Sequence, residues 1–89
     1  MKYLVFYEMA AEGLAKAQAN VPAHQARLKE FHERGTLLMV GPYGNPPLGA
    51  LGIFTTRAAA EEFVAGDPFV INAVVSKHSI HEWREALAP

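Results

Sequence analysis

Residues 36–56 read TLLMVGPYGNPPLGALGIFTT. Two apolar runs, 36–41 (TLLMVG) and 50–56 (ALGIFTT), flank the segment GPYGNPPLG, which holds three prolines and three glycines. Apolar, β-forming runs bounded by proline and glycine clusters read as strands joined by a loop. The segment matches neither G-x-G-x-x-G nor G-x-x-x-x-G-K-[ST], so it is a hairpin loop and not a phosphate cradle.

Helical patterns flank this hairpin. Upstream, NVPAHQARLKEFHERG (20–35) predicts a helix from about Pro22 to Arg34. Proline suits the first helical turn and disfavours a helical residue before it. Gly35 is placed to end the helix in a left-handed conformation. Downstream, Thr56 is a good N-cap for RAAAEEFVAG, a helix ending at Gly66. Further out, residues 2–8 and 70–81 are strand candidates. The alanine-rich stretch 9–20 reads as a short helix or turn starting near Gly13, DPFV as a short turn, and EWREALAP as a tail with some helical character.

The order is β-α-β-β-α-β, the split-βαβ, ferredoxin-like pattern of an α+β protein with an antiparallel sheet. Right-handed crossovers put both helices on one face of that sheet. Yet the strands are apolar on both sides. Tyr3, Val5 and Tyr7 alternate with Leu4 and Phe6, and Leu37 to Val40 are all apolar. The uncovered face predicts a homodimer, sheet against sheet.

Composition agrees. Eighty-nine residues make one domain, expected over 1–89, and 51% of them are hydrophobic. A chain this small buries about 60–65% of its unfolded surface, so an interface is a natural place for the surplus. There is no cysteine, hence no disulfide and no thiolate metal site. Net charge is −1 with lysine and arginine scattered, which argues against nucleic acid. No apolar run approaches a membrane span, and MKYLVFYE reads as a strand and not a signal peptide, so the expectation is a soluble, cytoplasmic protein.

One residue breaks the pattern. His24 shares a helical stripe with Leu28 and Phe31, heading an otherwise apolar arc. A packed, hydrogen-bonded histidine is the bland explanation; acid–base chemistry is the other. Asp67, in AGDPF, follows a helix end, where the dipole disfavours an anion and calls for a donor partner. Asp-Pro is also a common turn starter. Spacing alone does not join residues 43 positions apart. Tyr43 in the hairpin loop is a candidate for pocket lining. His78 and His81 would fall on opposite faces of a strand, and His24 and His32 sit about 80° apart on a helix, so no metal site is expected. Glu30, Glu33, Arg34, Glu61, Glu62 and Arg84 read as solvated helix faces, and no Ser-His-Asp arrangement is visible.

The ordered set PAHQARLKEFHERG, LLMVGP, GIF and AGDPF resembles the YCII-related family over nearly the whole chain, most specifically at His24, Gly41-Pro42 and Asp67-Pro68-Phe69. The resemblance implies a dimeric α+β barrel and an active site built on a histidine-aspartate pair, here His24 and Asp67. Pro42, Phe69, Tyr7 and Tyr43 are the expected substrate-binding residues. One departure is visible: members often carry Ala-Gly a few residues after DPF, where this chain has Asn72-Ala73. An activity attached to the family is dehydrochlorination of chlorinated hydroxyhydroquinones, and related barrels include muconolactone isomerases and small monooxygenases. The expected function is a cofactor-free lyase or isomerase acting on a small aromatic or enolic substrate. The alternatives are a dimeric ligand-binding or accessory domain without turnover, and a purely structural dimer. A haem or flavin enzyme is disfavoured, because no cofactor fingerprint is visible.

Overall fold

A computed structural model describes residues 1–89. The elements are β1 (Lys2–Met9), α1 (Gly13–Glu33), β2 (Leu37–Tyr43), β3 (Gly49–Phe54), α2 (Arg57–Gly66), α3 (Pro68–Ile71) and β4 (Val75–Trp83). The sheet is antiparallel throughout, in the order β2-β3-β1-β4. This is the ferredoxin-like βαββαβ arrangement that the hairpin at 36–56 implies.

Alternation along the strands divides the sheet into two faces. Val5, Tyr7 and Phe54 turn toward the helices and join Phe31, Phe63 and Val64 in the core. Leu4, Phe6, Leu51 and Ile53 occupy the opposite face. There Met39, on β2, is 68% exposed. At the end of the hairpin Tyr43 crosses Gly49 to donate its hydroxyl to the carbonyl of Tyr7 at 3.2 Å. A Cβ at position 49 would collide with that carbonyl and with the Tyr43 ring, so the crossing depends on glycine.

The helix ends follow local chemistry. Thr56 accepts a hydrogen bond from the amide of Ala59 at 3.1 Å, capping α2. Gly35 takes φ +81° just beyond α1, and its amide reaches the carbonyl of His32.

Four boundaries differ from the sequence reading. First, α1 is one helix of 21 residues, with Pro22 inside it and not at its start. Leu14, Ala17, Val21, His24, Leu28 and Phe31 recur at alternating steps of three and four, an unbroken apolar stripe. Phe31 sits in the core with Leu28 packed against it, the rest of the stripe faces the sheet across a cavity, and the helix runs on through Pro22 without the hydrogen bond that proline cannot make. Second, β2 runs on through Gly41-Pro42 to Tyr43. Third, residues 70 and 71 belong to α3, so β4 starts later than expected, at Val75. Fourth, Glu82 and Trp83 continue β4, paired with Tyr3 and Lys2, and residues 84–89 form no helix.

The Asn72-Ala73 step is a backbone matter. Ala73 has φ 58°, a left-handed conformation that costs an L-residue about 1–2 kcal/mol. Both side chains are exposed, and Asn72 donates to Asn20 at 2.7 Å. The departure from Ala-Gly therefore lies at a turn.

Candidate active site

Asp67 is the junction of two helices. It follows the last residue of α2 and serves as N-cap of α3, with its Oδ1 accepting from the amide of Phe69 at 3.1 Å. Its carboxylate is fully buried. Two side chains from distant elements meet it there. Nδ1 of His24, on α1, lies 2.7 Å from Oδ1, and the hydroxyl of Tyr7, on β1, donates to Oδ2 at 2.7 Å. Three donors on one carboxylate meet the demand of a buried anion at a helix C-terminus. No buried side-chain nitrogen or oxygen in the chain lacks a partner.

The imidazole is fixed in two ways. Its hydrogen bond to Asp67 sets the tautomer, with the proton on Nδ1 and the lone pair on Nε2. Its plane is set by Phe69, whose ring stacks on it at 3.8 Å and 2° from parallel, while Phe63 meets it edge-on at 6.4 Å. Nε2 makes no hydrogen bond within the chain, and the side chain keeps 14% exposure. Burial, and then the adjacent Asp67 carboxylate, push the Tyr7 phenol well above its ordinary value of 10.0. Tyr7 is thus a neutral donor at any physiological pH.

His24 opens onto a cavity of about 360 Å³ between α1 and the helix-facing side of the sheet. Tyr7, Pro42 and Phe69 line it with His24, as the sequence reading groups them. Tyr43 does not. It lies on the opposite side of the sheet, where it borders a shallow depression together with Phe6, Leu51 and Ile53. His32, His78 and His81 are exposed, and His81 packs edge-on against Phe6. No three His, Cys, Asp or Glu side chains converge on a possible metal position.

Sequence reasoning missed three features. The Tyr7–Asp67 hydrogen bond had only one trace in the chain, the alternation that turns Tyr7 with Val5. Arg27 was not singled out; its guanidinium donates to the carbonyls of Phe63 and Glu62 at 3.1 and 2.7 Å and closes the C-terminal end of α2. Gln25 reaches the cavity wall beside His24, and nothing in its type or spacing announces it.

The YCII-related domain model matches residues 1–84. The chain belongs to the YCII-related family. Its relatives within that family include Protein YciI of Escherichia coli O6:H1 and of Shigella flexneri. Each is 31% identical over 97 aligned positions, covering 96% of this chain and 98% of theirs. A solved structure with the same fold is 5-chloro-2-hydroxyhydroquinone dehydrochlorinase (TftG) from Burkholderia phenoliruptrix AC1100, in complex with 2,5-dihydroxybenzoquinone. It superposes with a TM-score of 0.79 at 19% identity, covering 97% of this chain and 96% of that one. In this YCII-related chain the His24–Asp67 pair is present and buried, and no helix is long and apolar enough to cross a membrane.

Proposed function

We propose that this protein is a cofactor-free acid–base enzyme, a lyase or isomerase, acting on a small hydroxylated ring or enol. The observation that carries the reading is His24: an imidazole at a cavity wall, with one nitrogen tied to a buried carboxylate and the other free. In this reading Nε2 takes the proton of a ring hydroxyl or acidic carbon. Asp67 stabilises the imidazolium that forms and holds the ring in place, and Tyr7 and Phe69 keep Asp67 and the imidazole aligned. Proton removal from a quinol loads electron density into the ring, and a tautomeric shift or departure of a leaving group follows.

The narrower reading is dehydrochlorination of a chlorinated hydroxyhydroquinone. Two hydroxyl protons leave, one proton is added at the chlorine-bearing carbon, and chloride departs with the C–Cl electron pair. A hydroxyquinone remains and no external oxidant is needed. The fold shared with a dehydrochlorinase supports this choice within the broader class. The same reading pairs two chains through the apolar outer face of the sheet.

The test is chloride release from 5-chloro-2-hydroxyhydroquinone, followed beside an ultraviolet assay for quinone formation. His24→Ala, at 14% side-chain exposure, should keep the far-ultraviolet circular dichroism of the fold. It should lower turnover by about 10²–10⁴-fold, the usual worth of a general base. Binding without product in the native protein replaces the enzyme with a ligand-binding or accessory domain, and an unchanged rate in the variant removes His24 from the role of base.

A further inference from the structure

The wall of the His24 cavity has an unusual chemical make-up for a site that handles an ionisable ligand. Its only polar side chains are Tyr7, His24 and Gln25, and no Asp, Glu, Lys or Arg takes part. Tyr7 already donates to Asp67, and His24 directs one nitrogen to the same carboxylate. Gln25 makes no hydrogen bond within the chain and is exposed, so its amide has both a donor and an acceptor to offer. The remaining side chains of the wall are apolar, from Leu14 and Val21 of α1 to Val5 and Phe54 of the sheet.

The surrounding charges sharpen the point. The buried Asp67 carboxylate stands directly behind His24, so a second carboxylate seated at Nε2 would put two anions on one imidazole. Arg27 offers no relief: its guanidinium is engaged by the carbonyls of Phe63 and Glu62 and is not part of the wall.

Resting on the reading of this cavity as the substrate site, we infer that it selects single rings that enter without a permanent negative charge. Such a ring carries one hydroxyl for His24 and a second oxygen or nitrogen for the Gln25 amide, and the same ring bearing a carboxylate or phosphate is rejected. A cavity of about 360 Å³ lies at the small end of the range for ligand sites, the size for one ring and its substituents. An apolar wall discriminates poorly against an extra hydroxyl, but strongly against a charge that it leaves unpaired. Gln25 is then a specificity-determining residue and His24 the site of proton transfer.

The experiment is an NMR titration of the native protein with hydroquinone and with 2,5-dihydroxybenzoate, the same ring with a carboxylate added. The amide signals of His24, Gln25 and Leu28 are followed. Hydroquinone should bind about 100-fold more tightly than the carboxylated ring, the scale set by leaving a charged group unpaired. Gln25→Lys should tighten the carboxylated ring and narrow that gap. Equal or tighter binding of 2,5-dihydroxybenzoate to the native protein overturns the inference. So does the absence of any response to hydroquinone. His24→Ala keeps two failures apart. The preference against the carboxylate should survive in that variant, because it comes from the uncharged wall. Failure of the acid–base reading would appear only as absent turnover.

Discussion

At the scale of single residues, the site depends on Asp67 more than on the histidine it serves. A carboxylate with no solvent exposure is tolerated because Tyr7, His24 and the Phe69 amide all donate to it. Removing one donor leaves a lone pair of a buried anion unmatched. Tyr7→Phe should therefore cost about 1–3 kcal/mol, a value measurable by urea denaturation at neutral pH. The same phenol gives stability a pH dependence of definite sign. Its folded-state pKa is raised, so its contribution is full below the unfolded value of 10.0 and is lost as pH rises beyond it. Thermal melts from pH 8 upward should show native stability falling above about pH 10, with a shallower fall in Tyr7→Phe. Parallel curves for the two proteins would show that Tyr7 does not ionise on unfolding.

At the scale of elements, α1 shows what the chain disclosed and what it withheld. The hairpin 36–56, the cap at Thr56 and the stop at Gly35 were legible, because each rests on one or two residues with a strong local preference. The alternation of Tyr3, Val5 and Tyr7 with Leu4 and Phe6 in β1 was legible too, because a period of two is itself a local pattern. Pro22 misled: its local rule favours a helix start, but the apolar stripe from Leu14 to Phe31 continues through it as one helical face, anchored in the core at Leu28 and Phe31. That stripe was readable in the spacing of Leu14, Ala17, Val21 and His24. Of the site, His24 and Asp67 stood out as types in unusual places. Their meeting, and the part of Tyr7, depend on contacts 43 and 60 positions apart that no local pattern encodes. If Pro22 is tolerated and not required, its replacement should stabilise the helix. It is exposed, so Pro22→Ala loses no packing, while alanine regains a backbone donor and relieves the clash with the carbonyl of Gln18. The net gain, after the freedom returned to the unfolded chain, should be about 2 kcal/mol, or roughly 10 °C in Tm. Differential scanning calorimetry reads it directly, and a lower Tm would mean that Pro22 sets a geometry that α1 needs.

At the scale of the whole molecule, the two faces of the sheet have separate tasks. The helix-facing side carries the core and the His24 cavity. The other side carries Phe6, Leu51 and Ile53, half-covered, beside an exposed Met39. A lone 89-residue chain gains nothing by keeping such a surface in water, and a face of this kind commonly marks an association site. If the outer faces pair, light scattering should give twice the 9.7 kDa of one chain. Ile53→Lys should return the mass to that of a single chain with the circular dichroism unchanged, because a lysine centred on an apolar interface is left without a partner. The cavity gives this variant a second readout. It lies between α1 and the opposite side of the sheet, and Ile53 takes no part in its wall. A monomeric Ile53→Lys that still binds hydroquinone would assign the site to one chain alone, whereas loss of binding together with the dimer would show that the partner completes it.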